Sequence, residues 1–222
     1  MGRFLSDTKK SSKMFDETIT KTTKNILALL GKKKILPKGT YLAGGTALAL
    51  QLGHRRSFDL DFFTDKPFKR REIIQKLGPL NFKLEQEAWR TILGKFTGIK
   101  FSLFYYKYPQ IFPYKKFLKI NLADLPDIAA MKIDAISSRG KKRDFFDLYF
   151  LMKEFSLEEM LDFYNQKYKA LATNRTHVLR SLEYFADADK DDNPEMIKES
   201  PPWEEIKGFF KREVIRIAKE EF

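Results

Sequence analysis

The chain has 222 residues, a net charge of +12 from 42 Lys and Arg against 30 Asp and Glu, and 43% hydrophobic residues that include 21 Phe. That hydrophobic content excludes a disordered chain, and the lack of any cysteine excludes a disulfide framework, thiolate metal sites and a cysteine nucleophile. The positive balance suits a polyanionic partner such as nucleic acid or nucleotide, or else a solvated lysine-rich surface.

The first 13 residues are polar and charged, unlike a signal peptide. No apolar run approaches the ~20 residues a membrane helix requires. A soluble cytoplasmic protein with no membrane partner is expected. Residues 1–12 read as a polar, frayed lead-in, and Ser12–Leu30 as an amphipathic helix with Phe15, Ile19, Ile26, Leu29 and Leu30 inward. Tyr41–Ala43 is a short strand, Thr46–Leu52 a short helix ended by Gly53, and Phe58–Phe63 a second strand. A helix from about Pro67 to Leu77 stops at Gly78-Pro79, and residues 80–106 read as strands with Gly94 and Gly98 at a bulge or turn. Helices follow at Pro126–Ser138, Lys142–Glu154, Ser156–Lys167, Thr176–Phe185 and Trp203–Phe222, the third opened by a Ser156/Glu159 capping box. Residues 187–202 form a charged, proline-containing linker. The predicted fold class is α+β: a mixed β-sheet with flanking helices over residues 1–120, then a helical bundle over 121–222 packed on it.

The stretch Tyr41–Phe63, YLAGGTALALQLGHRRSFDLDFF, carries the first chemistry. Gly44-Gly45-Thr46 joins a strand to a helix, so bare backbone N–H groups and the helix dipole can receive phosphate there. Asp59 and Asp61 are two apart on a strand and share a face, with Phe58, Leu60 and Phe62 turned to the core. Paired carboxylates repel unless a cation intervenes. Mg²⁺ takes oxygen ligands and recruits nucleotide phosphates, so Asp59 and Asp61 are the candidate metal ligands. Arg55 or Arg56 can hold phosphate oxygens or simply supply surface charge. His54 reads as a turn residue or a substrate contact. With only two histidines in the chain, a histidine metal cluster is excluded.

The second constellation is Asp127–Met152, DIAAMKIDAISSRGKKRDFFDLYFLM. Ile128, Met131, Ala135 and Ile136 form an inward stripe that also carries Lys132, with Arg139 one heptad on. Asp144 and Asp147 share one face of the next, nearly apolar helix. Lys132, Arg139, Asp144 and Asp147 either form a buried ion network that fixes the helix pair, or place Lys132 on a phosphate and one aspartate at the metal or the nucleophile.

Taken together, GGT-A-L, then HR-x-S-x-D-L-D-F-F, then Lys132 followed by Arg143-Asp144 and Asp147-Leu148-Tyr149, resemble the abortive-infection AbiEii/AbiGii nucleotidyltransferase toxins of the DNA polymerase β-like nucleotidyltransferase superfamily. The resemblance runs from about Ile35 to the C-terminus. It implies a nucleotidyltransferase-like sheet and an Mg²⁺-dependent transfer of NMP from an NTP to an acceptor, with RNA, and tRNA in particular, favoured. It implies a protein antitoxin as partner. Gly44, Gly45 and Thr46 would hold the triphosphate with Arg55 and Ser57 beside it, Asp59 and Asp61 would bind Mg²⁺, and Lys132 with Asp144 or Asp147 would match the family's later essential positions. One departure stands out: many superfamily members carry a third carboxylate on a later strand, and here IKFSLFYY offers only Ser102. Two other roles fit the same residues: a housekeeping or antibiotic-modifying nucleotidyltransferase, and a nucleotide- or RNA-binding domain with weak turnover.

Overall fold

The structure is a computed structural model that describes residues 13–169 and 175–221. The expected frayed lead-in over 1–12 and the expected helix end at Phe222 lie outside the described residues. Within the rest, one seven-stranded sheet runs in the order β3-β4-β5-β2-β1-β7-β6. The strands are β1 (Tyr41–Ala43), β2 (Leu60–Thr64), β3 (Phe82–Ala88), β4 (Thr91–Phe96), β5 (Ile99–Tyr105), β6 (Lys115–Phe117) and β7 (Ile120–Leu122). The helices are α1 (Lys21–Lys33), α2 (Gly44–Leu52), α3 (Arg70–Leu77), α4 (Leu125–Arg139), α5 (Lys142–Leu151), α6 (Leu157–Lys167), α7 (Arg175–Leu182) and α8 (Trp203–Glu221). No described helix is long and apolar enough to cross a membrane.

The centre of the sheet is the antiparallel pair β1–β2. Its outer neighbours run parallel to it, β7 to β1 and β5 to β2. β2 alternates as a half-covered strand should: Leu60, Phe62 and Thr64 are buried while Asp61 and Phe63 are only half-buried. Phe58 does not join the core as the alternation predicts. It precedes the strand and is 41% exposed.

The first helix begins later than its apolar pattern suggests. A 3-10 turn covers Asp16–Thr18, Thr20 then caps α1 by accepting from the Thr23 N–H, Leu30 is buried as expected, Ile26 packs partly buried on the core, and Leu27 takes the inward place expected of Leu29. The Ser156/Glu159 capping box forms in full at α6. The β6–β7 hairpin has no counterpart in the sequence reading, because its turn uses Leu118 and Lys119 at φ 48° and 66° in place of Asn or Gly. Gly31 of α1 packs on that turn so closely that a Cβ there would lie 2.2 Å from the Leu118 carbonyl oxygen. β7 runs through the expected 120/121 division, and the helices begin at Leu125.

α4 is central to the helical half and is buried nearly all round through Ile128, Ala129, Ala130, Ile133 and Ile136. Met131 and Ala135, expected on its inward stripe, are partly exposed and face a cleft. α5 is as buried as its sequence demands, with Phe145, Leu148 and Leu151 fully covered.

Candidate active site

α2 starts directly from β1 with no intervening loop, and its N-cap is Ala43, whose side chain cannot accept a hydrogen bond. The first-turn N–H groups therefore have no side-chain cap and point outward with the positive end of the helix dipole. Gly44 is at φ +69°, and a Cβ on it would sit 3.3 Å from Asp61 Oδ2. Glycine is what allows this backbone conformation against a carboxylate. The sheet register fixes the neighbours: Asp61 lies opposite Ala43 of β1 and beside Ser102 of β5.

Asp59 stands one residue before β2, and Asp61 inside it. Burial pushes the Asp61 carboxyl above its ordinary range, the Asp59 charge adds to that, and the Ser102 hydroxyl, Lys132 and Arg143 oppose it. Arg143 Nη1 lies 3.7 Å from Asp59 Oδ2. The pair divides two clefts. Asp59 lines one of ≈ 400 Å³ with Arg56, Lys141, Arg143, Asp191 and Glu195. Asp61 lines another of ≈ 380 Å³ with Gly44, Lys132, Asp134, Arg139 and the aromatic edge Phe63, Phe104, Tyr105 and Tyr106.

Behind the pair sits the ion network. Asp147 is fully buried, and both its oxygens are doubly engaged. Oδ1 accepts from Arg55 Nε at 2.6 Å and meets His54 Nε2 at 2.7 Å. Oδ2 accepts from Arg55 Nη2 at 2.8 Å and pairs with Lys132 Nζ at 2.6 Å. These partners outweigh burial and hold the Asp147 carboxyl well below the usual carboxylate range. Lys132 also donates to Asp144 Oδ1 at 2.7 Å, and Arg139 approaches Asp144 Oδ2 at 3.4 Å. Two of the three ammonium donors of Lys132 are thus committed, leaving one for the cleft it lines. His54 is kept neutral by burial. In that state its Nε2–H donates to Asp147, and Nδ1 has no hydrogen-bond partner.

The structure thus brings every expected site residue into one region but divides them in two. Gly44, Arg55, Ser57, Asp59, Asp61 and Lys132 line the clefts, with Arg55, Ser57 and Lys132 showing only a small part of each side chain. Thr46, Asp144 and Asp147 are buried behind them. Arg55 spends its guanidinium on Asp147 and on the Arg56 carbonyl. Thr46 meets the Ser57 hydroxyl at 2.9 Å and the Asp59 carbonyl, tying α2 to the loop that presents the carboxylates. Gly45 lies under this brace: a Cβ on it would be 2.4 Å from Arg55 Nη2.

Three cleft residues were not singled out from the sequence, and a fourth, Arg143, entered only within the family motif. Lys141 and Arg143 follow Arg139 in a basic run, RGKKR, which was the available signal. Asp191 comes from the charged linker: it accepts from the Lys142 N–H and pairs with Lys141, capping α5 from a distance of 49 residues along the chain. The linker also hydrogen-bonds along His54–Arg56 through Glu195 and Ile197, walling the Asp59 cleft. Asp134 sits on α4 in the Asp61 cleft, and burial raises its carboxyl while Arg139 opposes the rise.

The donor set fits Mg²⁺. Asp59, Asp61 and Ser102 offer hard oxygens, and Mg²⁺ is commonly held by one or two carboxylates with phosphates and water completing six positions. The described residues contain no cluster of three or more His, Cys, Asp or Glu that would form an all-protein cage. The rise of the Asp61 carboxyl comes first from burial, with the neighbouring Asp59 charge adding to it.

The family described as nucleotidyl transferase AbiEii toxin, type IV toxin–antitoxin system, matches residues 28–112 and 105–216. The chain belongs to that family. As an AbiEii-family member it is a nucleotidyltransferase. An uncharacterized protein of Aquifex aeolicus is 40% identical over 185 residues, 78% of this chain and 85% of its own length. The fold is shared with MenT4, a nucleotidyltransferase toxin of Mycobacterium tuberculosis (TM-score 0.58, 14% identity, 86% of this chain and 81% of that one). It is shared too with the antibiotic-resistance factor ANT(2'')-Ia (TM-score 0.51, 15% identity, 70% and 97% of the two chains).

Proposed function

We propose that this AbiEii-family protein acts as a toxin that transfers NMP from a nucleoside triphosphate to the 3′ end of an RNA, with tRNA the favoured acceptor, and that a protein antitoxin restrains it. The observation that carries the reading is Asp61 beside Gly44 at the uncapped start of α2, in a cleft shared with Lys132 and Arg139. The N–H groups of α2 and the two cations receive the triphosphate. Asp59 and Asp61 would hold Mg²⁺, which when bound supplies charge neutralisation at the phosphates.

In the reaction the acceptor hydroxyl oxygen bonds to the α-phosphorus and the α–β bridging P–O bond breaks. Pyrophosphate leaves and the hydroxyl proton goes to a base. Asp144 and Asp147, expected as candidates for that role, are buried behind the cleft, and all four acceptor positions of Asp147 are used. Asp134 is the carboxylate on the open cleft wall, and its raised affinity for protons suits a base. It takes the proton in this account, in place of the strand carboxylate that Ser102 replaces. The protein's remaining task is positioning and electrostatics.

The test is incubation of the purified protein with Mg²⁺, total tRNA and each triphosphate labelled at its α-phosphate. Label on RNA supports the reading. Label on protein alone, or on neither, contradicts it.

A further inference from the structure

The tip of the β3–β4 hairpin carries Trp89, a large aromatic residue that is 75% exposed and takes no part in the core. It is not loose. The Arg90 guanidinium lies 3.7 Å from the Trp89 ring centroid and 4.3 Å from that of Tyr105, sandwiched between two aromatic faces. Arg90 is at φ 66°, and its carbonyl accepts from the Tyr105 N–H at 2.9 Å, so the tip is pinned to β5. Arg70 of α3 donates to the Ala88 carbonyl just before the tip. Lys107 and Tyr108 extend the same shallow hollow, and none of the residues lining it is acidic.

Tyr105 and Tyr106 line both this hollow and the Asp61 cleft. Asp61 is level with Ser102 on β5, and Tyr105, level with Thr64, is three residues or about 10 Å further along and alternates to the other face, so the route from the hollow to the cleft turns round the strand end at Tyr106. A few unpaired nucleotides span that distance. An exposed indole held flat by a guanidinium, next to a second cation and open to a catalytic cleft, is a stacking surface with phosphate-binding charge. Trp, Tyr and Arg also anchor protein interfaces, but the acid-free, basic lining and the continuity with the Asp61 cleft favour an unpaired nucleotide, which has a π-face to stack and a phosphate to neutralise.

We propose that Trp89, Arg90 and Tyr105 form a platform on which the unpaired 3′-terminal nucleotides of the RNA acceptor stack, guiding the terminal hydroxyl along Tyr105 and Tyr106 to Asp61. The platform deepens the RNA-acceptor reading and rests on it.

The test uses Asp61→Asn protein, so that no transfer occurs, and fluorescence anisotropy with two labelled RNA hairpins, one with four unpaired 3′ nucleotides and one blunt. The overhang hairpin binds more tightly. Trp89→Ala weakens its binding about 5- to 100-fold, the effect expected for a lost base-stacking partner, while Trp89→Phe keeps most of the affinity and the blunt hairpin changes less than about twofold. Equal binding of the overhang by Trp89→Ala, or an equal loss on both hairpins, overturns the platform. If the overhang depends on Trp89 while active protein labels no RNA, the stacking of unpaired nucleotides on Trp89 stands, and the guiding of an acceptor hydroxyl falls with the acceptor reading. If active protein labels RNA and Trp89→Ala binds the overhang normally, the platform alone falls.

Discussion

The Arg55 guanidinium lies directly over Gly45, so that a Cβ on Gly45 would sit 2.4 Å from Arg55 Nη2. Arg55 cannot swing away without cost, because Nη2 and Nε are both bonded to buried Asp147. The turn read from the sequence as a phosphate cradle is therefore also the roof of the ion network. The cradle and the helix pair α4–α5 are joined through one side chain.

Gly45→Ala tests this link. The added methyl forces Arg55 off Asp147 or lifts the turn. Overpacking of this kind costs about 1–3 kcal/mol, and urea denaturation should show a loss in that range. Triphosphate affinity should fall with it, because the turn moves.

The same network sets an acid limit. The Asp147 carboxyl is depressed in the folded state by Arg55 and Lys132, so its contribution is whole above the unfolded carboxylate value near ~4 and is lost as pH falls below it. His54 is also depressed, by burial. The unfolded chain takes up its proton first, so stability drops as pH falls below ~6.5, ahead of the carboxylate effect. Thermal unfolding followed from pH 8 to pH 4 should show the midpoint declining from about pH 6.5, and His54→Gln should flatten the upper part of that decline. A flat midpoint down to pH 5 would contradict the assignment.

How far the sequence reveals this depends on what each feature rests on. The Gly44–Asp61 juxtaposition was legible because it needs only a glycine turn, a strand alternation and a sheet, all local signals. So was the Lys132–Asp144–Asp147 network, since helical spacing puts those charges on facing stripes. The bracing bonds of Arg55 and Ser57, which both also line the Asp59 cleft, were not legible. A charged or hydroxyl side chain in a loop looks the same whether it faces a ligand or Asp147, which lies 92 residues on from Arg55. The β6–β7 hairpin was hidden because Leu118 and Lys119 carry no turn signal, though they adopt positive φ. Asp134 was hidden because it sits among apolar helix residues. Only the fold shows that this side of α4 meets a cleft.

Asp134→Asn should lower the rate of nucleotide transfer by about 10²- to 10⁴-fold, the usual worth of a general base. Triphosphate affinity and unfolding midpoint should change little, because Asp134 is half-buried and holds none of the network together. The check is single-turnover transfer against pH. Wild-type activity should fall as Asp134 becomes protonated on the acid side, and the variant should lose that limb.

The most direct measurement compares Asp61→Asn with wild type in single-turnover transfer from a triphosphate labelled at its α-phosphate, with unfolding midpoints taken alongside. Asp61 is the carboxylate set against Gly44 in the open cleft. The account predicts that transfer in Asp61→Asn is abolished while the fold is kept, the unfolding midpoint holding or rising as a destabilised buried charge is removed. Transfer that persists in folded Asp61→Asn would contradict the account at its centre.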